Sequence, residues 1–149
     1  MATALHLCTT DERDRLRDLM TRFAEEVGLP QSPEDRMAAL DPLLAGEPYG
    51  MAYLLGPSRA PVGYVIVTLG YGIELGGREA WIDEIYVRPS VRGRGIAGEV
   101  LQAVSQSLRK AGVRAIHLEA RRDDPATQGL YRKAGFALRD GWCLMTRSL

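Results

Sequence analysis

Apolar positions along this chain switch between two spacings, and the switches mark its elements. Leu5-His-Leu-Cys8 alternates over a few residues and predicts a short strand. Leu16, Leu19, Met20, Phe23 and Val27 then recur at three- and four-residue steps, which is one face of a helix. Thr10 stands ahead of them as the expected N-cap, Asp11 and Glu12 complement the helix dipole, and Gly28 with Pro30 closes the helix. Ser32-Pro33-Glu34-Asp35 opens a second helix with proline at its first position; Met37, Leu40 and Leu44 form its apolar face, and Pro42 is expected to break or kink it. Strands are predicted from Met51 to Leu55 and from Val62 to Leu69, joined by the turn Gly56-Pro57-Ser58.

After the loop marked by Tyr71-Gly72 and Gly76-Gly77, Ala80 to Arg88 reads as a long strand. Ile96, Val100, Leu101, Val104 and Leu108 place a helix from about Gly95 to Ala111, closed by Gly112. Val113 to Ala120 is apolar enough to predict a strand buried on both faces. Asp124-Pro125 starts a last helix that ends at Gly135. Phe136 to Arg139 and Trp142 to Arg147 predict a hairpin about Asp140-Gly141, a two-residue type I′ signal. The order is β-α-α-β-β-β-α-β-α-β-β. No repeat, low-complexity tract or linker interrupts it, so residues 1–149 are expected to form one domain. A chain of this length buries about two-thirds of its unfolded surface.

Composition narrows the class. At 46% hydrophobic and 26% charged residues, the chain is neither disordered nor collagenous. It has no run of 18 apolar residues, so no membrane-spanning helix is expected. The segment Met1 to Cys8 lacks a basic region and is too short for a signal peptide, so a cytoplasmic location is expected. Cys8 and Cys143 have no metal-type spacing; both are expected as buried strand residues, and no metal is expected. Net charge is zero, but residues 1–75 hold eleven acids against six bases, and residues 76–149 hold eight against thirteen. That division suits an anionic ligand on the basic half and a cationic one facing the other. No basic run with interleaved aromatics points to nucleic acid.

The chemistry concentrates in Trp81-Ile-Asp-Glu-Ile-Tyr-Val-Arg-Pro-Ser-Val-Arg-Gly-Arg-Gly-Ile-Ala-Gly98, where a strand gives way to a basic, glycine-spaced loop and then a helix. Free N–H groups at a helix N-terminus bind phosphate or pyrophosphate. Arg92-Gly-Arg-Gly-Ile-Ala97 resembles the [Arg/Gln]-x-x-Gly-x-[Gly/Ala] pattern of the GCN5-related N-acetyltransferases. Downstream, Asp124-Pro-Ala-Thr-Gln-Gly-Leu-Tyr131-Arg-Lys-Ala-Gly135-Phe136 is similar to that family's Asn-x-x-Ala-x-x-Leu-Tyr-x-x-x-Gly-Phe helix, departing at Asp124 and Thr127.

The resemblance covers nearly the whole chain and implies an α+β fold: a mixed, splayed sheet in a three-layer arrangement with helices on both faces. It implies acetyl-CoA as co-substrate, with the backbone of Ile85, Tyr86 and Val87 along the pantetheine arm. Arg92, Gly93, Arg94, Gly95, Ile96, Ala97 and Gly98 would lie about the pyrophosphate. Asp124, at the position of the family's Asn, is counted among the implied cofactor-binding residues; as an anion near a polyanion, it could instead cap the helix. Acetyl transfer to an amine needs a proton acceptor, an oxyanion site and a leaving thiolate that is protonated or tolerated. Glu84 stands where a general base or a structural carboxylate is wanted, with Asp83 as the other candidate. Tyr131 faces the thioester sulfur by resemblance, and the Val87 N–H is the implied oxyanion donor.

Rival readings differ in class. Gly93-Arg-Gly-Ile-Ala-Gly98 is a literal Gly-x-Gly-x-x-Gly followed by Glu119 at the spacing of a dinucleotide fold, but Arg88 to Arg92 separate it from its strand. A non-catalytic acyl-CoA-binding module and a protein or peptide N-acetyltransferase are the alternatives. Glu25, Glu26, Glu34, Asp35, Tyr71, Glu74 and Trp142 fall in segments that build the family's acceptor pocket, and their acidic bias suggests a small cationic amine. Trp142 to Met145 is a candidate edge for a homodimer. His6 and His117 are expected to be packed strand residues.

Overall fold

A computed structural model describes residues 2–149, which form two compact units divided between Glu119 and Ala120. The first unit holds strands β1 (Leu5–Leu7), β2 (Gly50–Leu55), β3 (Gly63–Gly72), β4 (Gly77–Val87) and β5 (Ala115–His117), with helices α1 (Arg13–Val27), α2 (Pro33–Leu44) and α3 (Ile96–Lys110). The five strands lie side by side in chain order. β1 to β4 pair antiparallel, and β5 adds parallel to β4 across the α3 crossover.

Alternation along β3 divides the core. Tyr64 and Ile66 pack with Leu16, Leu19 and Met20 of α1, and with Met37, Leu40 and Leu44 of α2. Val65 and Val67 point to the opposite face, where Val67 shares an apolar cavity lining with Val104 and Leu108 of α3. Helices therefore cover both faces, as the resemblance implied. Gly63 lets the strands approach: a Cβ there would overlap the Tyr86 carbonyl oxygen of β4.

The helix ends follow local chemistry. Thr9, one residue before the expected cap, makes a capping box with Glu12: the Thr9 N–H donates to Glu12 Oε2 (2.7 Å) and Asp11 N–H donates to Thr9 Oγ1 (3.3 Å). A 3₁₀ turn at Thr10–Glu12 precedes α1, and Gly28 ends it with φ 74°. In α2, Ser32 Oγ accepts from Asp35 N–H (3.1 Å). The helix runs on through Pro42 to Leu44, contrary to the expected break. Pro42 stands in the last turn, so it withdraws one hydrogen bond just before the helix ends.

Two strand expectations are corrected. Val113–Ala120 yields only Ala115–His117 as ladder, and these three residues are half-buried rather than covered on both faces. β5 pairs β4 only at Glu79, Ala80 and Trp81, so β4 runs on alone on that side from Ile82 to Val87.

The second unit contains α4 (Pro125–Lys133) and the chain beyond it. The expected hairpin does not form a ladder. Trp142 N–H donates to the Arg139 carbonyl (3.3 Å), which closes a turn. A type I′ turn needs positive φ at both central residues, and only Gly141 (87°) has it. Leu138, Trp142, Leu144 and Met145 are all exposed, and a lone two-stranded ribbon without a buried face is marginal. Cys143 is likewise exposed rather than buried, whereas Cys8 is buried as expected.

Candidate active site

The site begins with an irregularity in β4. Ile66 pairs with Glu84, and the next residue, Val67, pairs with Ile82. Asp83 is the extra residue of a β-bulge, left without a partner on β3. The bulge coincides with the point where β5 has already left, so β4 presents a free edge from Ile82 to Val87 just ahead of the glycine loop.

The bulge sends the two neighbouring carboxylates to different surroundings. Glu84 is inward and held. Arg36 Nη2 donates to both its oxygens (2.6 and 2.9 Å), and Tyr64 OH donates to Oε1 (2.7 Å). The Arg36 and Glu84 side chains are 9% and 13% exposed. Phe23, Tyr64 and Tyr86 pack around them with centroid separations of 6.0–6.3 Å, and Arg36 lies over the Phe23 ring at 5.9 Å. Burial, followed by the Glu84 charge, pushes the Tyr64 phenol well above its ordinary value, so it stays a donor.

Asp83 is exposed, and its side chain makes no hydrogen bond to the described residues. Partial desolvation, then the charges of Glu84 and Glu119, raise its carboxyl above the ordinary range, with Arg36 opposing.

Neither Arg36 nor Tyr64 was singled out from the sequence. A signal existed: Arg36 stands one helical turn before Leu40, on the apolar face of α2, where a charge needs a buried partner.

Beyond Val87, a 3₁₀ turn at Pro89–Val91 leads to Arg92-Gly93-Arg94-Gly95. Gly93 and Gly95 have φ of 76° and 81°, a region that costs any other residue about 1–2 kcal/mol. Glu99 N–H is the first to bond back in α3, to the Gly95 carbonyl (3.0 Å), so the N–H groups of Ile96, Ala97 and Gly98 are free for an outside acceptor. Nothing lies within 4 Å of where a Cβ would sit on Gly93 or Gly95. The donor set, its open approach and the helix N-terminus fit a pyrophosphate.

Arg92 is committed elsewhere by its side chain. Its Nη1 and Nη2 donate to the two Glu26 oxygens (2.6 and 2.8 Å), its Nε donates to the Val87 carbonyl (2.8 Å), and its guanidinium lies 5.6 Å over the Tyr86 ring. It ties the loop to β4 and α1. Glu34 is paired as well, with Arg17 at 2.7 Å, so two of the acids expected near an acceptor have cationic neighbours in the protein itself.

In the second unit, Asp124 caps α4: its Oδ1 accepts from Thr127 N–H (3.1 Å) and its Oδ2 from Thr127 Oγ1 (2.7 Å). These bonds hold its carboxyl below the ordinary range. Thr127 thus completes the cap that Asp124 provides. Tyr131 stands over Phe136 (centroids 6.2 Å apart), and burial, then the Asp124 charge, raises its phenol. His117 is packed as expected, 4.9 Å from Trp81 and 3.1 Å from Glu79 Oε2.

The family model for the acetyltransferase (GNAT) family matches residues 13–136, spanning the bulge, the glycine loop and α4. The chain belongs to the GNAT family. Its sheet, an antiparallel meander with one parallel strand added, also removes the dinucleotide-fold alternative.

Solved structures share this fold. An integron cassette protein from the mobile metagenome of Cole Harbour Salt Marsh shares 30% identity at TM-score 0.84, covering 97% of this chain and 90% of that one. An aminoglycoside N-acetyltransferase in complex with CoA shares 14% identity at TM-score 0.81, covering 99% and 95%. A ribosomal-protein-alanine N-acetyltransferase from Brucella melitensis biovar Abortus 2308 shares 20% at TM-score 0.76, covering 99% of both. The last two, at such identity, speak for the fold alone. No curated protein matches the sequence. No helix among the described residues is long and apolar enough to cross a membrane.

Proposed function

We propose that this GNAT protein is an acetyl-CoA-dependent N-acetyltransferase acting on a primary amine of a small, cationic acceptor, by direct attack through a tetrahedral intermediate. The observation that carries the reading is the succession, along β4 and the loop that follows it, of a bulge bearing two carboxylates, a free backbone edge and a row of helix N-terminal N–H groups without helical partners. The edge of Ile85, Tyr86 and Val87 would take the pantetheine arm as an added strand, and the Val87 N–H would face the developing oxyanion. Residues 93–98 would hold the pyrophosphate, Arg92 acting through the loop it braces and Arg94 through its charge.

Tyr131 would donate to the leaving thiolate. An unperturbed phenol near 10 and a thiol near 8.5 make full proton transfer uphill by about 2 kcal/mol, so a hydrogen bond that stabilises the thiolate is the better description. Asp83, Glu84 and Glu119 favour an ammonium in the acceptor position. The CoA and aminoglycoside named for the similar structure are consistent with both ligands. A cytoplasmic location and a homodimer through residues 142–145 belong to the same proposal.

Release of free CoA from acetyl-CoA, measured against spermidine, neamine, lysine and an alanine-initiated peptide, tests the reading. Turnover of spermidine or neamine is expected. Preference for the peptide would shift the assignment to protein N-acetylation. No turnover, with a CoA-dependent thermal shift retained, would make the protein an acyl-CoA-binding module.

A further inference from the structure

The two carboxylates at the bulge are adjacent in sequence, yet the structure gives them different freedom. Glu84 already accepts three hydrogen bonds from Arg36 and Tyr64 behind a wall of Phe23, Tyr64 and Tyr86. Oε1 already accepts from both partners and Oε2 from Arg36, so an incoming ammonium finds a single spare acceptor position, on an oxygen already paired with a guanidinium and in a site that is nearly closed to solvent. Asp83 stands in the reverse condition: outside the β3 ladder, exposed, and without a donor.

Resting on the N-acetyltransferase reading, we propose that Asp83 is the proton acceptor for the substrate ammonium and that Arg36 is a positioning residue, fixing Glu84 so that its charge faces Asp83 but its oxygens do not exchange protons. The acceptor arrives as R–NH₃⁺. One proton moves to the Asp83 carboxylate and leaves to water. The freed lone pair forms the C–N bond at the thioester carbonyl, and the C–S bond breaks. The second nitrogen proton ends on the departing sulfur, giving the amide and CoA thiol.

The charged groups around Asp83 are Glu84 on its own strand, Glu119 beyond β5, and Arg36 from α2. Partial desolvation, then the Glu84 charge, outweigh the opposing Arg36, with Glu119 adding a smaller push; together they hold its proton more tightly than water would, which makes it a stronger base than a free aspartate.

The test is kcat/KM against pH, with acetyl-CoA and the fastest amine of the panel above, for the wild type, Asp83→Asn, Asp83→Glu and Glu84→Gln. Asp83→Asn is expected to lower kcat/KM by about 10²-fold or more and to abolish the acid limb. Asp83→Glu retains the limb. Glu84→Gln retains it too, moved to lower pH, because a negative neighbour that held the Asp83 proton is gone. An acetyl-CoA thermal shift in each variant separates loss of the base from loss of fold or cofactor binding. A wild-type-like rate and limb in Asp83→Asn, or disappearance of the limb in Glu84→Gln, overturns the assignment while leaving the N-acetyltransferase reading intact. If the wild type acetylates no amine in the panel, that reading falls and this assignment with it.

Discussion

Replacing Arg36 by Met tests the account of the site at its most enclosed contact. Methionine keeps the length and much of the apolar stem over Phe23, but removes both hydrogen bonds to Glu84. Glu84, with a side chain 13% exposed, is left with only the Tyr64 hydroxyl. Stripping one member from a buried ion pair costs about 3–5 kcal/mol, whereas an exposed pair is worth about 0–1. For a domain whose whole stability is about 5–15 kcal/mol, that is a large fraction. At about 2–4 °C per kcal/mol for a chain of this size, the melting temperature should fall by roughly 10 °C.

The double variant Arg36→Met, Glu84→Met replaces the pair by apolar groups and should be far less destabilised than the sum of the two single changes. Urea unfolding of the four proteins in the cycle measures this directly. A loss below about 1 kcal/mol in Arg36→Met, or simple additivity in the double variant, would refute the view that Arg36 and Glu84 form a single buried unit.

Other expectations follow from separate features. Gly95→Ala meets no atom within 4 Å, so its cost is conformational alone: about 1–2 kcal/mol by urea unfolding, with a weaker acetyl-CoA thermal shift. Cys143 should react with a thiol reagent in the native protein, while Cys8, buried and with its thiol pushed up to about 12 by that burial, should react only on unfolding. Glu12, Glu26 and Asp41 have folded values below their ordinary 4.5, 4.5 and 3.8, chiefly through hydrogen bonds from Thr9, Arg92 and Arg13 respectively. Their contribution is complete above those ordinary values and is lost as pH falls through the lower folded ones, so the urea midpoint should fall below about pH 4.5. Asp83 has the opposite sign, and Asp83→Asn should remove a small destabilisation at neutral pH.

Much of the architecture was legible as local pattern. The three- and four-residue spacing of Leu16 to Phe23 and of Val100 to Leu108 sets which helix faces are buried, because that spacing is a property of the helix itself. Gly93 and Gly95 mark positive φ because residues with a Cβ rarely adopt it without strain, and the cap at Asp124 is the alternative to cofactor binding that its place before Pro125 offered.

What the tertiary structure decided concerns partners that come from elsewhere in the chain. Glu84 finds Arg36 from 48 residues away and Tyr64 from 20. Arg92, read in sequence as a phosphate-facing charge, finds Glu26 from 66. Strand alternation could not foresee the bulge at Asp83, since that depends on how β3 and β4 register against each other. The segment from Phe136 to Arg147 carries an Asp140-Gly141 turn signal between two apolar runs, enough to predict a hairpin, yet forms none, because a strand is stabilised by a ladder and a covered face that its own residues do not supply. Local preferences thus determined the helices, caps and loop, and long-range pairing decided which of two neighbouring carboxylates is held and which is exposed.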